Sequence, residues 1–328
     1  MQTTRRQFVI GSLSAAAFSV PGLRLAHAAD YPERPITFIC PWPAGGTADV
    51  TMRALCSAAS KELGQSVVVD NRAGASGMIG LKALANARPD GYTVGQIPIS
   101  VTRFAQLGTV QLDPINDLSY IARVSGQTFG IAVRNDAPWK TLKDLVDDTK
   151  ANPDKITYST AGIGGATHVG MEEFAMAAGV KFRAIPYKGG SEALQGLLSS
   201  QVDVLADSSS WAPMVRAGKL RLLATWGAQR TSEFKDVPTL RESGYDVVVD
   251  APNGIGAPKG LPSEIDNRLR AAFKVAADSK AFAEACARID APLMYLDGPD
   301  YAQYIRTTYD KETQLIARLK LKELLAKN

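Results

Sequence analysis

A short apolar stretch runs into a glycine-rich loop and then into residues of helical spacing, and the chain repeats this device several times. The first copy is Ile36–Cys40, the loop Pro41–Asp49 and the pattern from Val50 to Leu63; another is Lys155–Ser159, the loop Thr160–Thr167 and His168–Ala178. Alternation of this kind marks βα units and a largely parallel sheet. It also sets a chemistry. The first turn of a helix carries backbone N–H groups without intrahelical partners and a partial positive charge, and glycine lets a ligand approach them closely. An anion can be held there without a cationic side chain.

The other strands expected are Ser66–Val69, Tyr92–Ile97, Phe129–Val133, Phe182–Ile185, Val202–Ala206, Leu220–Thr225 and Asn253–Ala257. The other helices are Met78–Ala87, Trp139–Ala151, Ser191–Ser199, Trp211–Ala217, Pro262–Asp278, Lys280–Arg288 and Pro299–Lys320, and Pro98–Arg103 reads as a loop. At 328 residues the chain exceeds what one core usually holds, roughly 250–300 residues, so two lobes are expected. The pattern places lobe 1 at 29–127 plus 250–328, with lobe 2, 128–249, inserted into it.

Residues 1–28 read as an export signal: the twin-arginine stretch Thr4-Arg5-Arg6-Gln7-Phe8-Val9-Ile10, an apolar run from Val9 to Val20, and the small-x-small site Ala26-His27-Ala28. The apolar run is short for a bilayer span, which takes ~20 residues. The formal charge of +4 comes from 37 basic and 33 acidic residues, and three of the basic ones, Arg5, Arg6 and Arg24, lie in this segment without an acidic neighbour. The mature chain is thus nearly neutral, with no basic run of the kind that tracks nucleic acid and no second apolar segment of membrane length. Twin-arginine export carries proteins folded in a reducing compartment, so Cys40, Cys56 and Cys286 are expected as buried thiols.

Gly45-Gly46-Thr47 and Gly162-Ile163-Gly164-Gly165-Ala166-Thr167 are the two best anion-binding loops, and the division above puts them on opposite lobes. No phosphate loop, dinucleotide fingerprint or Gly-x-Ser-x-Gly elbow occurs. With His27 in the signal, His168 is the one histidine of the mature chain, which excludes a multi-histidine metal site. His168 braces a helix start, touches a ligand or, with a serine, serves catalysis. Asp49 and Asp207 either cap backbone N–H groups or shape the site; Trp42 and Tyr187 either wall a cleft or fill the core. Arg103 either meets a ligand carboxylate or lies solvated on the surface.

Several ordered segments together resemble one family. They are Tyr31–Ile36, Pro41–Asp49, Leu63–Ala75, Arg88–Thr93, Tyr158–His168, Pro186–Gly190, Ala217–Arg221 and Val237–Leu240. This pattern is similar to that of the tripartite tricarboxylate transporter substrate-binding receptors, also called the Bug family, and covers nearly the whole mature chain. The resemblance implies an α/β fold of the two-lobe periplasmic-binding-protein kind, with mixed, mostly parallel sheets and the ligand in the cleft between lobes. It implies a periplasmic receptor, not an enzyme and without a cofactor, that delivers a small organic carboxylate to integral-membrane permease subunits. A monomer is expected. The roles it carries over are carboxylate binding by Ala44, Gly45, Gly46 and Thr47 and by Gly162, Gly164, Gly165, Ala166 and Thr167. Tyr187, Lys188 and Asp207 are implied as cleft residues. Trp42 stands where the family commonly has Phe, and Trp211 and Arg103 are not general features; such departures belong to the wall that selects the ligand. Two other functions fit the same residues, an exported α/β hydrolase using His168 with a serine, and a sensor presenting its closed form to a membrane kinase.

Overall fold

A computed structural model describes residues 31–326; the export signal expected at 1–28 lies outside them. From Pro32 onward the chain forms one compact unit built on two sheets. The first holds β1 (Ile36–Cys40), β2 (Val67–Asn71), β3 (Thr93–Ile97), β4 (Leu118–Gly126), β10 (Pro252–Pro258) and β11 (Leu293–Asp297), in the order β11-β4-β10-β3-β1-β2. The second holds β5 (Phe129–Arg134), β6 (Thr157–Thr160), β7 (Arg183–Pro186), β8 (Val204–Ser208) and β9 (Leu220–Thr225), in the order β7-β6-β8-β5-β9.

The helices are α1 (Thr47–Leu63), α2 (Met78–Ala85), α3 (Val101–Gln106), α4 (Leu142–Ala151), α5 (Ala166–Ala178), α6 (Gly190–Leu198), α7 (Ala212–Arg216), α8 (Ser263–Ala277), α9 (Lys280–Arg288), α10 (Gly298–Arg318) and α11 (Leu321–Leu325). Their starts have visible causes. Thr141 opens α4 with a capping box, its hydroxyl accepting from the Asp144 N–H while Asp144 accepts from the Thr141 N–H. Ser279 and Asp297 cap α9 and α10 in the same sense.

Each sheet has the same nucleus: three parallel strands, with the first in sequence at the centre, β2-β1-β3 and β7-β6-β8. The sheets are mixed, as expected: β10, β11 and β5 run against their neighbours, and the other strands of each sheet share one direction. A helix follows each of them, but none leads to a neighbouring strand of the same sheet, so no crossover forces these strands parallel. Inserting β10 beside β3, or β5 beside β8, turns the pairs on both of its sides antiparallel.

Several elements differ from the sequence expectation, α11 after Lys320 among them. The stretch Pro98–Arg103 is not all loop, since α3 begins at Val101. Strand β4 has no counterpart in that reading because Arg123 interrupts its apolar run. Arg123 is nonetheless buried, 3.4 Å from the Asp250 carboxylate and stacked over the Tyr304 ring. Strand β11 is a short edge strand behind Pro292, with Leu293 and Met294 exposed.

Apolar burial is divided between the sheets. Phe129, Ile131, Tyr158, Phe174, Val204 and Trp226 fill one face of the second sheet, and Ile39, Leu81, Ile97, Phe104, Tyr120 and Tyr301 pack beside the first. Cys40, Cys56 and Cys286 are free and buried, and burial pushes the Cys40 and Cys286 thiols up to about 12. Among the described residues no helix is long and apolar enough to cross a membrane.

Candidate functional site

In an open sheet of order 2-1-3, the connections leave the central strand toward opposite sides, and a crevice opens at that strand's carboxyl end. Here the loops at those ends are the two glycine loops, Pro41–Gly46 after β1 and Ala161–Gly165 after β6. A cavity of about 50 Å³ lies where they meet, lined from one sheet by Trp42, Gly46, Thr47 and Gln96 and from the other by Gly165, Ala166, Thr167 and Asp207. The walls are held together across the sheets by the Thr47 and Ser208 hydroxyls, 2.6 Å apart.

Both helices entering this cavity lack a side-chain cap. Gly46 precedes α1 and Gly165 precedes α5, each in extended backbone, and neither has a side chain to offer the first N–H groups. Ser, Thr, Asp and Asn are the residues preferred in that role, as Thr141, Ser279 and Asp297 are at α4, α9 and α10. A third start, that of α6 behind Gly189, is also uncapped, and its Gly190 lines the same cavity. The arrangement offers donors and positive dipole ends to an anion.

Residues behind the loops fix them. Asp49 is buried and turned away from the cavity: it accepts from the Gly45 N–H at 2.9 Å, from Asn71 Nδ2 at 2.8 Å and from Arg53 Nε at 3.0 Å. Burial works to raise its pKa, and Arg53, the Gly45 N–H and Asn71 outweigh that and hold the carboxyl below its usual range. In the second loop the Ala161 N–H donates to Thr167 Oγ1 at 3.1 Å, and Ser76 Oγ donates to the Ile163 carbonyl at 3.0 Å.

Arg103 corrects the sequence reading most. It is neither solvated nor in the cavity, but buried on α3, paired through two hydrogen bonds of 2.8 and 2.6 Å with buried Glu312 of α10. Its Nη1 donates to the Gly164 carbonyl at 2.8 Å. No local pattern points from residue 103 to residue 312, so the partner that buries Arg103 is invisible in the sequence.

His168 is 1% exposed and does not line the cavity; its Nδ1 accepts from the Gly164 N–H at 3.4 Å. Burial, with Arg103 nearby, lowers its pKa to about 4, so it braces the loop as a neutral imidazole. A histidine so placed is poorly suited to be the base of the hydrolase alternative. Ala44 and Gly45 are exposed outside the cavity. Gly162, Tyr187 and Lys188 line a neighbouring surface groove with Ser76, and Gly164 packs against the Phe104 ring.

Asp207 lies next to the end of β8 with its carboxyl fully buried, and burial pushes it up to about 7 despite donors from Ser210 and Ser208. The lining also includes Gln96, Ser100, Gln127 and Phe129, which sequence reasoning missed. A glutamine inside a short buried strand was the available signal for Gln96; the others carry none.

The family model described as the tripartite tricarboxylate transporter family receptor matches residues 51–321. A Cupriavidus necator relative, described as the UPF0065 protein in the gbd 5′ region, is 41% identical over 97% of this chain and 98% of its own. The solved periplasmic binding protein BugD superposes with a TM-score of 0.85 at 30% identity, over 89% of this chain and 99% of its own. A Rhodopseudomonas palustris protein solved with adipate gives a TM-score of 0.84 at 26% identity, over 89% and 99%. MatC of the same organism, solved with bound malate, gives 0.80 at 25% identity, over 87% and 100%. Sequence and fold agree: the chain belongs to the receptors of the tripartite tricarboxylate transporter family, with the two-lobe α/β fold of periplasmic binding proteins.

Proposed function

We propose that this protein is a periplasmic receptor that captures a small organic carboxylate between its halves, taken as 29–127 plus 250–328 and 128–249, and hands it to membrane permease subunits without chemical change. The observation that carries the reading is the pair of uncapped helix starts, α1 and α5, one from each side, opening on one cavity. Charge-assisted bonds to such N–H groups are worth about 1.5–3 kcal/mol each. Lobe closure and ligand immobilisation subtract from that, so micromolar affinity is the expected order. The similar proteins solved with adipate and malate supply the class of ligand, a carboxylate.

Isothermal titration against mono-, di- and tricarboxylates and aromatic acids tests the reading, with mass spectrometry of ligand co-purified under native conditions. Absence of binding to any organic acid sinks it.

Asp207 makes that binding depend on pH. Its carboxyl titrates near 7 beside the bound anion, so it repels the ligand above that pH and is neutral below it. Affinity for an acid fully ionised above pH 6 is expected to rise as pH falls from 8 to 6, and Asp207→Asn to flatten the profile. The stability effect follows the same proton. The folded carboxyl has its pKa raised above the unfolded value of 3.8, so the native state binds the extra proton between about 4 and 7. Stability contributed by that proton is therefore lost as pH rises through this window. Asp207→Asn should melt higher than the parent at pH 8 and equally at pH 4; equal melting at both would show that Asp207 is not desolvated.

A further inference from the structure

One polar network beside the cavity is complete except at a single atom. Asn253 Nδ2 donates to the Ser125 hydroxyl at 2.9 Å and to the Gly126 carbonyl at 3.3 Å, and a carbonyl only accepts, so the amide's orientation is fixed. Its Oδ1 then accepts from Gln96 Nε2 at 2.9 Å and from Gln127 Nε2 at 3.0 Å. That in turn fixes Gln96: its Nε2 faces Asn253, and its Oε1 is the acceptor left over. Gln96 is 1% exposed, it lines the cavity, and Oε1 finds no partner among the protein atoms. Trp42 lines the same cavity, and its buried indole N–H is likewise without an acceptor.

Buried polar groups are almost always satisfied, and an acceptor left without a donor carries its full desolvation cost. The carboxylate proposed for the helix starts brings acceptors only, so it cannot serve Gln96 Oε1. A ligand hydroxyl can donate to Gln96 Oε1, and its oxygen is an acceptor of the kind the Trp42 N–H lacks. Resting on the carboxylate reading above, we infer that Gln96 is a specificity-determining residue that selects a hydroxycarboxylate over the corresponding plain acid. An analogue lacking the hydroxyl is rejected because it leaves Gln96 Oε1 buried and unserved, the asymmetry by which sites built for a hydroxyl discriminate.

The test is calorimetric titration of the full protein with two matched sets: butyrate against 2-, 3- and 4-hydroxybutyrate, and succinate against malate. At least one hydroxy acid should bind about tenfold or more tighter than its parent, as the penalty for one unserved buried group predicts. Gln96→Leu removes the acceptor yet leaves Asn253 Oδ1 served by Gln127. It should bring that ratio to about one, because the parent acid no longer strands a buried acceptor and so binds more tightly, while the hydroxy acid no longer gains a partner there. Far-UV circular dichroism and the melting temperature identify a variant that has merely unfolded. Gln96→Glu, which keeps an acceptor at this place, should bind the hydroxy acid better than Gln96→Leu if it folds.

Parent and hydroxy acids binding equally to the wild type overturn the inference and leave the carboxylate receptor standing. A preference that survives Gln96→Leu also overturns it. Binding of none of these acids, nor of any other carboxylate, fails the receptor reading itself and this inference with it.

Discussion

Arg103→Met should cost about 3–5 kcal/mol of stability in urea denaturation, the range for removing one partner of a buried ion pair. The reason is Glu312. It is 6% exposed, and its two oxygens take hydrogen bonds of 2.8 and 2.6 Å from Arg103. Methionine fills much of the volume but leaves that carboxylate without its cation. The double variant Arg103→Met with Glu312→Leu removes both charges and should recover most of the loss, since an apolar pair often replaces a buried ion pair at little net cost. Ligand affinity should not recover, because the Gly164 carbonyl has still lost the Nη1 donor 2.8 Å away that holds the second glycine loop. A drop of about tenfold corresponds to one hydrogen bond to a charged group, near 1.5 kcal/mol. Full affinity in the double variant would show that Arg103 stabilises the fold without positioning the loop, and a single-variant cost under about 1 kcal/mol would show that the pair is solvated.

Gly162→Ala is the second large effect, and it falls on binding more than on folding. Gly162 has φ +111°, a region L side chains rarely enter, and an added Cβ would lie 2.5 Å from Ser76 Oγ and 3.2 Å from Ser76 N. Ser76 has little room to give way. It has φ +53° itself, is buried, and its hydroxyl is bound to the Ile163 carbonyl. The substitution must push the second glycine loop off the first sheet. Such backbone strain costs of order 1–3 kcal/mol, and displacing the N–H groups of α5 from the cavity should weaken ligand binding by about thirtyfold or more, some 2 kcal/mol. Gly179→Ala is the control. It has φ +66° at the end of α5 with nothing within 4 Å of its Cβ, so it should lose about 1 kcal/mol of stability and bind ligand normally. Equal affinities in the two variants would remove Gly162 from any role in shaping the site.

The candidate site divides along the same physical line as these variants. Gly46, Thr47, Gly165, Ala166 and Thr167 line the cavity, and each was expected because a strand–loop–helix junction is written in consecutive residues. Asp49 was a choice between cap and site from sequence, and its bonds to Gly45, Asn71 and Arg53 decide for the loop behind the cavity. Gln96 was passed over because its meaning depends on Asn253, 157 positions away. Tyr187 and Lys188 belong to a motif that runs past the cavity: the second glycine after them, Gly190, lines it, whereas they face an adjoining groove.

From sequence alone came the βα units, the two glycine loops at helix starts and the family, because each is carried by residues close together in the chain or by an ordered set of short motifs. Tertiary structure decided the rest. It decided that β10 and β5 run antiparallel, that Arg123 and Arg103 are buried, and that Gln96 is left with an unserved acceptor. Burial of a charge or an amide depends on a partner brought in from far along the chain, as Glu312 is to Arg103, Asp250 to Arg123 and Asn253 to Gln96. Local order follows from neighbouring residues, but whether a polar group is served or left over is settled only when distant segments meet.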